Sequence, residues 1–140
     1  MEIITHSPEE TEALGARYAA RLAPGAVVAL EGELGAGKTA FARGVLRGLG
    51  YTGRVTSPTF AIANEYDAPG APVAHFDMYR ILGPEALFEL GFEEYLDGRR
   101  IVLIEWSENV REALPAELRT VRIVYGAEEG SRVVTLEEEA

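Results

Sequence analysis

The chain has 140 residues, 47% of them hydrophobic: enough for one domain, spanning residues 1–140, with a single core, and too few for a second catalytic domain. The absence of cysteine excludes disulfides, thiol chemistry and cysteine-based metal sites. A net charge of −10 speaks against a dedicated grip on nucleic acid, because an acidic surface repels phosphates.

In chain order, residues 2–5 read as a short strand. Ser7 and Pro8 then give an N-cap and a first helical residue, with Glu9 and Glu10 at the positive helix end, and the helix is expected to run to about Leu22 before Pro24-Gly25. Residues 26–30 (Ala-Val-Val-Ala-Leu) form a continuous apolar run, the pattern of a strand buried on both faces. A glycine-rich loop follows, then a helix from about Lys38 to Leu49. Residues 59–66 and 73–76 read as strands joined by the turn-rich Asp67-Ala68-Pro69-Gly70. Residues 84–90 predict a short helix, residues 100–106 a second fully buried strand, and residues 108–113 another short helix. Alternating residues 120–125 and 132–136 flank Gly126–Gly130 and predict a closing hairpin. The fold class expected is α/β: a mostly parallel central sheet with helices on both faces and a C-terminal antiparallel hairpin. No apolar run approaches the roughly 18 to 20 residues that cross a bilayer. Met1–His6 has no leader character, so the expected compartment is the cytoplasm and no membrane partner is expected.

The strongest motif is Gly32-Glu33-Leu34-Gly35-Ala36-Gly37-Lys38-Thr39, a complete G-x-x-x-x-G-K-[ST] phosphate loop between a buried strand and a helix. Gly32, Gly35, Ala36 and Gly37 let backbone N–H groups converge on phosphate oxygens, and the helix start adds its positive end. Of the 13 basic residues only Lys38 is lysine. A compact, flexible ammonium reaches β- and γ-phosphates as a planar guanidinium would not. The Thr39 hydroxyl is placed to ligate Mg²⁺. The ligands implied are a nucleoside triphosphate and magnesium.

Such a loop needs a carboxylate at the end of a neighbouring strand. Glu105 closes Ile101-Val102-Leu103-Ile104, and Asp77 closes the weaker run Val73-Ala74-His75-Phe76. Two acids suggest two jobs, one on the metal and one near the γ-phosphate and attacking water; a solvated strand-end carboxylate is the simpler alternative for either. Ser57-Pro58-Thr59-Phe60 lies where P-loop enzymes carry a γ-phosphate-sensing segment, to which Thr59 would offer its hydroxyl, although a plain turn is the simpler reading. His75, Tyr79 and Arg80 cluster around Asp77, and Arg80 either neutralises transition-state charge or pairs with a surface acid. Trp106, the only tryptophan, suits core or interface better than a cofactor platform.

Taken together, the Gly32–Thr39 loop, Ser-Pro-Thr-Phe, His75-Phe76-Asp77-Met78-Tyr79-Arg80 and Ile104-Glu105-Trp106 closely resemble the TsaE family. That family is the ATPase component of bacterial tRNA threonylcarbamoyladenosine (t6A) synthesis. The resemblance spans nearly the whole chain, including Thr11 and Leu14-Gly15 of the first helix; Met78 departs from the usual leucine. It implies that Lys38 and Thr39 bind phosphate and Mg²⁺, that Glu105 is the second metal ligand, and that Asp77 is needed for hydrolysis. It places Thr11 and Arg132 near the nucleotide. It also implies a slow, partner-stimulated ATPase acting with TsaB and TsaD on adenosine 37 of tRNAs reading ANN codons, without transferring the threonylcarbamoyl group itself. The excess acid, including Glu128, Glu129 and Glu137–Glu139, is either a solvated surface or a docking face for a basic partner; the latter would leave tRNA touched only indirectly.

Rival classes are a GTPase, a small-molecule kinase and a non-catalytic ATP-sensing module. Guanine selection through Asn-Lys-x-Asp is missing, since no lysine exists outside position 38. A kinase needs a lid and an arginine-lined substrate pocket, for which 140 residues leave little room. An ATP sensor would share every binding residue and differ only in single-turnover hydrolysis.

Overall fold

The computed structural model describes residues 1–33, 36–55, 63–77, 85, 91–105, 114–115 and 117–137. In chain order its elements are β1 (Glu2–Thr5), α1 (Pro8–Tyr18), β2 (Val27–Glu31), α2 (Lys38–Gly48), β3 (Ala63–Asp67), β4 (Pro72–Asp77), β5 (Ile101–Glu105), β6 (Arg119–Tyr125) and β7 (Arg132–Leu136). The strands form one sheet in the order β1-β7-β6-β2-β5-β4-β3. The four central strands, β6, β2, β5 and β4, run parallel. The pairs β1/β7, β6/β7 and β3/β4 are antiparallel, so the sheet is mixed around a parallel centre. A four-residue turn between β3 and β4 is too short for a parallel crossover, which fixes that pair as a hairpin.

The central strands are the ones with continuous apolar runs. Every residue of β2 and of β5 is buried, as expected for strands covered on both faces. On one face, Val28, Leu30, Ile101, Leu103, Val121 and Ile123 pack beneath Leu14 and Tyr18 of α1 and Phe41, Val45 and Leu46 of α2. On the other, Val27, Ala74, Phe76, Val102 and Ile104 meet Phe92. Phe92 belongs to a 3₁₀ turn, Phe92–Tyr95, and Phe76 stands edge-on to the rings of Phe92 and Tyr95 at centroid distances of 5.1 and 5.0 Å. Among the described residues both long helices therefore lie on one face, and the 3₁₀ turn packs on the other together with Leu96, Leu114 and Leu118. The helices expected over residues 84–90 and 108–113, and the strand expected from Thr59, fall on residues outside those described, apart from Glu85 and the strand from Ala63.

Helix α1 starts as its sequence dictates. Ser7 is the N-cap and accepts from Glu10 N at 3.1 Å, with Pro8 in the first turn. It ends earlier than expected: the α-helix stops at Tyr18 and its last turn tightens to 3₁₀ over Ala19–Arg21. Helices α1 and α2 approach closely because three of their contact positions are glycine. A Cβ on Gly44 would run into the carbonyl oxygen of Glu12, and one on Gly15 into that of Phe41, so neither helix could sit as close with alanine there. Among the described residues no helix is long and apolar enough to cross a membrane.

Candidate functional site

The site forms where β2, β5 and β4 end. Strand β2 finishes at Glu31, and the chain turns through Gly32 at φ +143°. A Cβ here would strike the carbonyl oxygen of Ile123 on neighbouring β6, so only glycine lets the loop leave the sheet at this point. The loop re-enters helix at Gly37, which has φ +113° and caps α2 with no side-chain hydrogen bond. Gly37 offers the first turn of α2 no side-chain cap, the arrangement that receives an anion at a helix start. Lys38 is buried, and its Nζ donates to the Gly32 carbonyl at 2.7 Å, tying the end of the loop to its beginning. Thr39 follows in the first turn, half-buried.

Two acids border this loop, placed by strand register. Leu30 of β2 pairs with Glu105 of β5, and Glu105 pairs with Asp77 of β4. Glu105 therefore closes β5, and Lys38 follows the loop that leaves adjacent, parallel β2, so the two are not at opposite sheet edges. Side chains alternate along a strand, so Glu105 shares a face with Ile101 and Leu103, the face that carries α2. Asp77 lies beside it on that face, one strand spacing of about 4.8 Å away. Glu105 is buried and Asp77 half-buried. Glu105 Oε2 lies 2.6 Å from Nε2 of His75, which is fully buried on the same face two residues before Asp77.

Two further residues close the loop from the side. Thr11 of α1 is buried, its Oγ1 2.7 Å from Thr5 Oγ1, and its methyl lies 3.7 Å from where a Cβ on Gly37 would stand. Arg132 of β7 donates through Nε to the Ala36 carbonyl at 3.0 Å, while its guanidinium lies 4.5 Å above the Tyr125 ring. The chain thus brings Thr11, Gly32, Ala36, Gly37, Lys38, Thr39, Asp77, Glu105 and Arg132 to one end of the sheet. Gly35, Thr59, Tyr79, Arg80 and Trp106, also singled out in the sequence, lie outside the described residues.

Two contacts were not legible beforehand. One is the His75–Glu105 hydrogen bond. The other is the buried carboxylate of Glu31, paired with Arg122 at 3.0 Å on the opposite face of the sheet. Nothing in the sequence joins Glu31 to a residue so distant; the only signal is an acid directly before the loop.

The donor set suits a triphosphate with magnesium. Helix-start N–H groups and one ammonium are able to receive phosphate, and a hydroxyl with carboxylates offers hard oxygen ligands. Among the described residues no three His, Asp or Glu side chains form a group that could hold a metal by themselves. Magnesium is commonly held in another way, by one or two protein oxygens together with phosphates and water.

Comparison with known proteins agrees with this geometry. Residues 5–134 match the family model described as threonylcarbamoyl adenosine biosynthesis protein TsaE. The chain belongs to the TsaE family. A relative from Bacillus subtilis (strain 168), named tRNA threonylcarbamoyladenosine biosynthesis protein TsaE, is 42% identical over 131 residues, covering 94% of this chain and 81% of its own. The TsaE of Rickettsia typhi is 41% identical over 119 residues, covering 84% of this chain and 82% of its own. Among solved structures, the crystal structure of Bacillus subtilis YdiB superposes with a TM-score of 0.85 at 36% identity, covering all of this chain and 86% of that one. The chain thus has a P-loop NTPase-like α/β fold.

Proposed function

We propose that this protein is a single-domain ATP-binding and slowly ATP-hydrolysing component required for threonylcarbamoylation of adenosine 37 in tRNAs reading ANN codons, acting in the cytoplasm with TsaB and TsaD. The observation that carries the reading is the convergence of the Gly32–Thr39 loop with two strand-end acids in register, Glu105 beside Leu30 and Asp77 beside Glu105. The names of its relatives support the pathway.

In this reading the loop N–H groups and Lys38 hold the β- and γ-phosphates, and Thr11 and Arg132 border the nucleotide. Thr39 and Glu105 would hold magnesium, and the ion would neutralise charge on the phosphate oxygens. Asp77 orients the attacking water and draws on its proton as the γ-phosphate departs. Thr59 senses the γ-phosphate, and Arg80, Tyr79 and Trp106 are further candidates around Asp77 and Glu105.

The net charge of −10 fits docking on a basic surface of the TsaB–TsaD pair, with tRNA touched only indirectly. Reconstitution tests the proposal. Purified TsaB, TsaD, threonylcarbamoyl-adenylate and tRNA should make t6A over repeated cycles only when this chain and ATP are present. Equal t6A yield without the chain, or with its Lys38→Ala variant, would refute the role.

A further inference from the structure

We infer that His75 is a positioning residue for Glu105: its Nε2–H holds one carboxylate oxygen so that the other stays available to magnesium. This rests on the nucleotide–magnesium reading above.

The argument starts from an anomaly in the core. His75 is aligned with Leu103 on β5 and has zero exposure, on a face of β4 that it shares with the core residue Val73. An imidazole in such a place loses its hydration, and a valine or leucine would pack there at less cost. What the ring obtains instead is one hydrogen bond, from Nε2 to Glu105 Oε2 at 2.6 Å, at the short end of charge-assisted contacts. Its other nitrogen, Nδ1, is buried and has no partner among the described residues. With the proton on Nε2, only an acceptor lone pair is left unmatched; the other tautomer would face a carboxylate with a bare nitrogen and bury an unpaired N–H. Among the described residues the ring is thus committed to a single hydrogen bond, with the acid at the end of β5.

The consequence lies in the freedom of Glu105. The bond engages Oε2, leaving Oε1 as the oxygen that would face metal or its water. Anchoring one oxygen removes rotamers that a glutamate at a strand end would otherwise sample. Partners of this kind, one step removed from the ligand, typically change metal affinity by about 10- to 100-fold. His75 touches no reacting atom, so its effect should appear in metal-assisted binding.

The experiment titrates a fluorescent ATP analogue into unaltered protein, His75→Leu and His75→Gln, each with excess Mg²⁺ and with EDTA. Leucine fills the site without a donor, and glutamine keeps an N–H at similar reach. The expected result is that the magnesium-dependent gain in affinity falls about 10- to 100-fold in His75→Leu, that affinity in EDTA stays within about twofold, and that His75→Gln recovers most of the gain. A full gain in His75→Leu, or equal losses with and without metal, would overturn the inference while leaving the nucleotide reading intact. An unaltered protein whose affinity ignores magnesium would overturn both. Imidazole ¹⁵N shifts of His75 in the unaltered protein give a readout independent of any variant's folding. A proton on Nε2 supports the pairing, and a proton on Nδ1 alone overturns it.

Discussion

The two ends of the parallel strands are built from different chemistry. Where β2, β4 and β5 finish, buried and half-buried polar groups crowd together: Lys38, His75, Asp77, Glu105 and Thr11. Where β2 and β5 begin there is a cavity of about 330 Å³, lined in part by Gly25, Tyr95, Leu96, Gly98 and Arg100. A search guided by hollows would consider this second end. Its arginine, however, is already engaged. Arg100 pairs with Asp97 at 2.9 Å and lies 5.1 Å over the Tyr95 ring, and Asp97 accepts from the N–H groups of Arg99 and Arg100. Volume marks a place where packing is incomplete. The end we propose as functional is marked by polar groups buried at a cost that packing does not repay.

Replacing residues at the two ends should separate them sharply. The largest effect is expected at Asp77. Asp77→Ala should keep nucleotide binding while single-turnover hydrolysis falls about 100-fold or more, since a water-orienting acid acts mainly in the transition state. A parallel loss of binding would give Asp77 a ground-state role instead. Next comes Lys38→Ala, which should weaken binding of a fluorescent ATP analogue by about tenfold to a hundredfold, the value of one charge-assisted hydrogen bond. Lys38→Arg should fail comparably, because the planar fork does not fit a loop where Nζ sits 2.7 Å from the Gly32 carbonyl.

How far the sequence alone carries this picture depends on the range of the signal. The phosphate loop is contiguous, so Gly32, Gly37, Lys38 and Thr39 were readable from spacing. So were β2 and β5, because burial on both faces writes an unbroken apolar run. That Glu105 and Asp77 stand side by side was suggested only by analogy; it depends on the register of β4, β5 and β2, which no local pattern encodes. The pairing of β1 with β7 brings together residues more than 120 positions apart and had no signal at all. His75 was noticed as a neighbour of Asp77, yet its bond runs to Glu105, because the partner is set by strand register. The 3₁₀ turn at Phe92–Tyr95 leaves no sequence signal, because four residues are too few for a periodicity.

A smaller effect concerns the packing beneath the functional end. Gly44→Ala should destabilise the protein by about 1–3 kcal/mol, since the new methyl meets the backbone carbonyl of Glu12, which cannot swing aside. Gly98→Ala at the other end meets nothing within 4 Å and should cost only about 1 kcal/mol, for its positive φ. Urea denaturation distinguishes the two; equal losses would mean that the helix contact is looser than described.

The smallest effects belong to the cavity end. Arg100→Ala should leave nucleotide affinity within about twofold and cost no more than about 1 kcal/mol, as half-exposed ion pairs usually do. The N–H groups of Arg100 and Arg99 hold the Asp97 carboxyl below its ordinary range. A lowered value means that this carboxylate contributes stability above its unfolded-state pKa, and that the contribution fades as pH falls through the folded value. Carboxyl NMR titration should therefore find an acid-shifted midpoint for Asp97, one that does not move when Mg–ATP is added.

The claim that the strand ends around Lys38 and Glu105 form the nucleotide site is tested most directly by following backbone amide resonances during titration with Mg–ATP. The account predicts that the largest shifts fall on Thr11, Gly32–Thr39, Asp77 and Glu105, with Gly25, Tyr95, Gly98 and Arg100 almost unmoved. Shifts concentrated around Tyr95 and Arg100, with the Gly32–Thr39 loop unmoved, would contradict it.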